Sequence, residues 1–139
     1  MTMQTVQSRP YDVIITGQGL AGLVLSMLLE RAGINHLVLA RREHKQYPAL
    51  AETLPSSALP LLDRLGIRPL VEAFAERTFG YHAIWGTDAL QSNHFWGQRP
   101  YPYGLKLRKQ ALQKELLQRQ ARYLLPVDAL LSATNTANS

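Results

Sequence analysis

The chain has 139 residues, a formal net charge of +5 and no cysteine. That length is enough for one domain with a real core, and the missing cysteines exclude a disulfide framework and thiolate chemistry. The positive balance suits anionic ligands such as phosphates, but composition alone does not choose among phosphate, nucleic acid and an acidic membrane.

Residues 1–10 (MTMQTVQSRP) are polar, lack the apolar stretch of a signal peptide and read as a loose tail. Val13, Ile14 and Ile15 form a β-branched run, the pattern of a strand buried on both faces. A helix is predicted over residues 20–32, with Gly33 as its left-handed C-cap. Residues 36–40 (HLVLA) are the next buried strand, and a parallel pair joined by one helix is right-handed by default. The nearly uncharged run 13–30 is broken by three glycines and belongs to this βα unit. No membrane span is expected, and a cytoplasmic location is the default.

Beyond residue 40 the texture changes. Residues 41–45 are charged and residues 47–55 read as an irregular loop. A short helix is predicted over 57–65, capped by Ser56 or Ser57 and closed by Gly66. Pro69 opens another, over 69–77. Residues 78–85 and 90–96 are strand-like, and Gly86, Thr87 and Asp88 turn them into a hairpin. A loop rich in proline and tyrosine follows over 97–104. The last helix, over 108–123, carries Leu112 and Leu116 on one face. Residues 132–139 are small and polar and read as a frayed tail, which leaves 11–131 as the domain.

Gly17, Gly19 and Gly22 form a G-x-G-x-x-G between a strand and a helix, the context that gives this motif meaning. Gly17 lets the chain turn out of the strand. Gly19 keeps a side chain away so that the backbone can approach a pyrophosphate, and Gly22 allows close helix–strand packing. The amides of Leu20, Ala21 and Gly22 then open the helix toward the phosphates, with the macrodipole favouring their charge. Such a unit usually ends its second strand in Asp or Glu, which holds a ribose hydroxyl. Here that position is Ala40, followed by Arg41 and Arg42. Two readings stay open. The arginines meet the 2′-phosphate of NADP, which would make an NADP-binding reductase module, or the ribose contact is lost or moved to Glu43. A solvated basic loop is the plain alternative.

Residues 51–67 (AETLPSSALPLLDRLGI) resemble the second signature of FAD-dependent monooxygenases of the halogenase-like group, including flavoproteins that hydroxylate protein-bound tryptophan in quinone-cofactor maturation. Glu52, Leu54, Pro55, Ser57, Pro60, Leu61, Leu62, Leu65 and Gly66 match; Ala51 stands where glycine is usual and Thr53 where serine is usual. Residues 79–86 (FGYHAIWG) resemble the strand that follows. The resemblance covers about residues 11–120. It implies an α/β fold, a Rossmann-like FAD-binding βαβ unit with added helices and a short β-hairpin. It also implies FAD as cofactor and a flavin-dependent monooxygenase acting on an aromatic or protein-bound substrate. On it, Gly17, Gly19 and Gly22 bind the pyrophosphate, Glu52 and Thr53 approach the cofactor, and a basic residue before Leu112 and Leu116, Arg108 or Lys109, reaches the phosphates.

The family's later Gly-Asp motif is absent, and no lysine lies between Lys45 and Lys106, which disfavours halogenation. The remaining Rossmann strands and the large substrate-binding sheet have no room in this length. The chain therefore reads as incomplete relative to the full flavoprotein fold. It is either a portion completed by further segments or a partner chain, or a non-catalytic remnant that binds one. No catalytic residue can be named. His36, His44, His82 and His94 lack metal-ligand spacing, so no metal site is expected. His36 reads as a strand-start residue, while His82 or His94 could line a cavity with Trp85 and Trp96. Tyr101 and Tyr103 fit a loop over a pocket or over a core. No recognition motif accompanies the basic residues, so nucleic acid is not expected.

Overall fold

In a computed structural model, residues 10–41 and 52–128 are described. In chain order the elements are β1 (Val13–Thr16), α1 (Leu20–Arg31), β2 (His36–Ala40), β3 (Glu52–Leu54), a 3-10 turn (Ser56–Ala58), α2 (Leu59–Arg64), α3 (Arg68–Ala73), β4 (Ala75–Thr78), β5 (Gly80–Ile84), β6 (Leu90–His94), β7 (Gly104–Leu107), α4 (Lys109–Arg119), a second 3-10 turn (Ala121–Tyr123) and β8 (Leu124–Pro126). They fall into two compact units, residues 1–46 with 116–139, and residues 47–115.

The first unit is a parallel sheet ordered β1-β2-β8. Val13 to Thr16 pair with His36 to Leu39, and Val38 to Ala40 pair with Leu124 to Pro126. Strands β1 and β2 and helix α1 lie where the apolar pattern puts them. Ala32 is the C-cap of α1, and Gly33 takes the left-handed conformation (φ 69°) that ends a helix without a Cβ penalty. Ile15, Leu23, Val38 and Leu116 are buried in this unit together with three polar side chains, Ser26, His36 and Gln120. Two expectations are corrected. Ile14 is 58% exposed, so β1 is not buried on both faces; it is an edge strand with one neighbour. The chain also does have room for a third parallel strand, β8, just past the helix expected over 108–123, which itself stops at Arg119.

The second unit holds an antiparallel sheet ordered β3-β7-β4 and the separate β5-β6 hairpin. The hairpin registers Gly80 with His94 and Ile84 with Leu90, and Gly86 has φ 71° in its turn, as the sequence predicts. Three expectations fail here. The stretch read as a loop to residue 55 contains β3, which pairs with β7. The helix expected over 69–77 ends at Ala73, and Ala75–Thr78 turns into β4, also on β7. The helix expected over 57–65 begins as a 3-10 turn, and neither serine caps it; Ser56 donates to the Gln98 Oε1. Leu59, Ile67, Val71, Phe95, Tyr103, Leu105, Leu107 and Leu112 form the core of this unit.

Candidate functional site

The β1–α1 crossover explains its glycines one by one. Gly17 has φ 108°, a conformation L side chains rarely adopt, and its N–H donates to the Leu39 carbonyl at 3.0 Å. A Cβ on Gly22 would lie 2.4 Å from the Gly17 carbonyl oxygen and 3.3 Å from Ile15 Cγ2, so helix and loop touch only because that position is bare. Gly19 is the N-cap of α1 with ordinary extended backbone, and a Cβ there would meet nothing within 4 Å. The first intrahelical bond runs from Leu23 N–H to the Gly19 carbonyl at 3.0 Å. The amides of Leu20, Ala21 and Gly22 thus precede the ladder, and among the described residues no side chain caps this end. Open space over bare amides at the positive end of a helix is the chemistry a diphosphate needs.

Gln18 adds a tie that the motif alone does not announce. Its Nε2 donates to the Arg41 carbonyl at 2.8 Å, joining the glycine loop to the end of β2. Ala40 closes β2 where an acid is usual, and Arg41 is exposed beside it. Arg42, Glu43, His44 and Ala51 lie outside the described residues.

In the second unit the structure brings Glu52 and Lys109 together, with Thr53 beside Glu52 on β3 and Arg108 bonded instead to the end of α3. Glu52 and Thr53 sit on β3 opposite Leu107 and Lys106. Glu52 accepts an ion-paired hydrogen bond from Lys109 Nζ, and both side chains are partly solvated. Arg108 is differently employed. Its Nη2 donates to the Ala73 carbonyl at 3.0 Å and its N–H to the Phe74 carbonyl at 2.8 Å, so its charge sits at the C-terminal end of α3. Sequence spacing could not separate the two neighbours; their hydrogen bonds do.

The remaining candidates resolve into packing or surface. His82 and His94 are exposed on the hairpin; His82 Nδ1 is 2.7 Å from Ser92 Oγ, and the His94 ring lies 4.8 Å from that of Trp96. Tyr101 donates to Asp63, Tyr103 donates to Glu72 at 3.0 Å, and Arg68 pairs with both carboxylates. The Tyr101 hydroxyl and then Arg68 hold the Asp63 carboxyl below its ordinary range, and Asp63 pushes Tyr101 up. Burial, then Glu72, pushes Tyr103 up. These tyrosines fasten the loop after β6 to α2 and α3. Among the described residues no group of three or more histidines or acids could hold a metal ion, and no helix is long and apolar enough to cross a membrane.

Residues 10–132 match the family described as FAD binding domain, and the chain belongs to that family. FAD is the cofactor of the fold, and the open glycine crossover fits it. A 65-residue stretch is 42% identical to the FAD-dependent monooxygenase spyC of Aspergillus fumigatus, covering 45% of this chain and 14% of that protein. The fold is similar to that of p-nitrophenol 4-monooxygenase PnpA from Pseudomonas putida, with a TM-score of 0.64 and 19% identity over 82% of this chain and 31% of that one. It is also similar to the peptidyl tryptophan dihydroxylase QhpG, which is essential for tryptophylquinone cofactor biogenesis, with a TM-score of 0.52 and 18% identity over 85% of this chain and 25% of that one. The chain thus spans less than a third of the length of these relatives. These findings bear out the resemblance to FAD-dependent monooxygenases and the α/β fold.

Proposed function

We propose that the chain is the FAD-binding portion of a flavin-dependent monooxygenase whose substrate is aromatic, either a small molecule or a protein side chain. The observation that carries this reading is the β1–α1 crossover: Gly22 packed bare against Gly17, and open space over Gly19. The family membership and the monooxygenase relatives support it, and they do not favour the NADP-binding alternative drawn from Arg41 and Arg42.

The glycine-loop amides hold the pyrophosphate, and Gln18 fixes the loop against the end of β2. Glu52, Thr53 and Lys109 are a second set of cofactor contacts, with Lys109 rather than Arg108 as the phosphate cation, because Arg108 is tied to the backbone at the end of α3 whereas the Lys109 pair with Glu52 is partly solvated and open to exchange for a phosphate. The bound flavin supplies the oxygen chemistry, so this portion needs to bind, orient and polarise rather than to transfer protons itself. Substrate capture and turnover belong to further segments or a partner chain, and the protein works in the cytoplasm.

The test is the absorption spectrum of the purified protein after incubation with FAD and gel filtration. A retained flavin spectrum supports the reading. A colourless protein whose melting temperature FAD does not raise would overturn it.

A further inference from the structure

The second strand closes without the acid that ordinarily holds a ribose hydroxyl, and the structure shows which side chain stands beside the vacated place. Ala40, the last residue of β2, ends in a methyl group and cannot accept a hydrogen bond through its side chain. Two hydrogen bonds from the glycine loop bracket it. Gly17 N–H donates to the Leu39 carbonyl at 3.0 Å, and Gln18 Nε2 donates to the Arg41 carbonyl at 2.8 Å. Both come from the side of β1, whereas Ala40 pairs with Pro126 of β8 on the opposite edge of the strand. The Gln18 amide therefore lies alongside position 40.

The tie also orients that amide. A backbone carbonyl only accepts, so the amide nitrogen must face Arg41 and the amide oxygen must face away from it. An amide oxygen has two acceptor positions, so it can take a hydroxyl alongside another partner. Gln18 is half-buried between two exposed glycines. Its long side chain is already ordered across the crossover, so its rotamer freedom is spent before a ligand arrives.

We propose that Gln18 Oε1 is the acceptor for a hydroxyl of the adenosine ribose, the duty that Asp or Glu at position 40 would otherwise have. This assignment rests on the FAD reading above and names the residue that reads the ribose in this chain. In a dinucleotide-binding βαβ unit the glycine loop takes the pyrophosphate and the end of the second strand takes the ribose. Gln18 is the side chain that spans those two places. A neutral amide makes a weaker bond than a carboxylate, but it adds no negative charge near the diphosphate. The acceptor has thus moved from the strand to the loop, and the absence of an acid at Ala40 does not leave the ribose unread.

The experiment is flavin fluorescence titration of the full chain with two ligands, FAD and an FAD analogue whose adenosine ribose lacks both hydroxyls. Wild type should bind FAD about fivefold more tightly than the analogue, the worth of one neutral hydrogen bond. Gln18→Ala should close that gap. Loss of the tie to Arg41 would weaken both ligands alike, so a purely structural role for Gln18 would leave the gap as it was. The same gap in both proteins, or no gap in wild type, would overturn the assignment while leaving the FAD reading intact. A wild type that binds neither ligand would overturn both.

Discussion

Gly22 lies so close to Gly17 that a Cβ on the helix residue would sit 2.4 Å from the carbonyl oxygen of the loop residue. The turn, the first helical residues and β1 are therefore one packed object. Gly22→Ala should move backbone rather than a flexible side chain and destabilise the first unit by about 2 kcal/mol or more, as overpacking does. Thermal or urea unfolding of the variant checks this, and a stability equal to wild type would contradict the packing.

Arg108 and Lys109 are adjacent but should behave differently. Arg108→Ala removes a hydrogen bond to the end of α3 and should lower stability by about 1 kcal/mol with little change in FAD affinity. Lys109→Ala should leave stability near wild type, since its pair with Glu52 is partly solvated, and weaken FAD binding in a salt-sensitive way. Paired unfolding and FAD titrations at low and high salt separate the two.

The acid missing from β2 can be restored. Ala40→Glu places a carboxylate where a ribose hydroxyl is ordinarily held. It should tighten FAD binding by about tenfold or more, the worth of one hydrogen bond to a charged group. Isothermal titration measures it directly.

Acid should loosen the first unit through Glu30. Its carboxyl is held below the ordinary range, chiefly by Gln120, so its contribution is fully present above the unfolded-state value and is lost as pH falls through the lower native one. Melting temperatures should drop on going below about pH 4.3. In Glu30→Gln, which keeps the amide contact, that part of the drop should shrink.

The parts legible in the sequence share a cause. In β1, α1, β2 and the hairpin, local pattern and the element formed agree: apolar runs, Gly33 closing a helix, Gly86 turning a hairpin. The missed strands are three or four residues long and exist through distant partners. β7 (Gly104–Leu107) makes a sheet of β3 and β4 by pairing with both, so none of the three is visible alone. Ala75–Thr78 carries helix-forming residues that this pairing overrides. β8 ends in Pro126, tolerable because that strand is an edge. At the site, the glycine spacing located the crossover. The Gln18 tie and the separate duties of Arg108 and Lys109 depend on where side chains end, which spacing does not encode.

The central claim is that bare amides at the β1–α1 crossover grip the FAD pyrophosphate. Gly19→Val tests it most directly, because a side chain there enters open space and the backbone is already extended, so the fold should tolerate it. Flavin fluorescence titrations of the wild type and this variant, with melting curves alongside, are the measurement. The account predicts a variant that melts near wild type and binds FAD at least about a hundredfold more weakly, a loss of about 3 kcal/mol. Equal FAD affinity in the two proteins would contradict it.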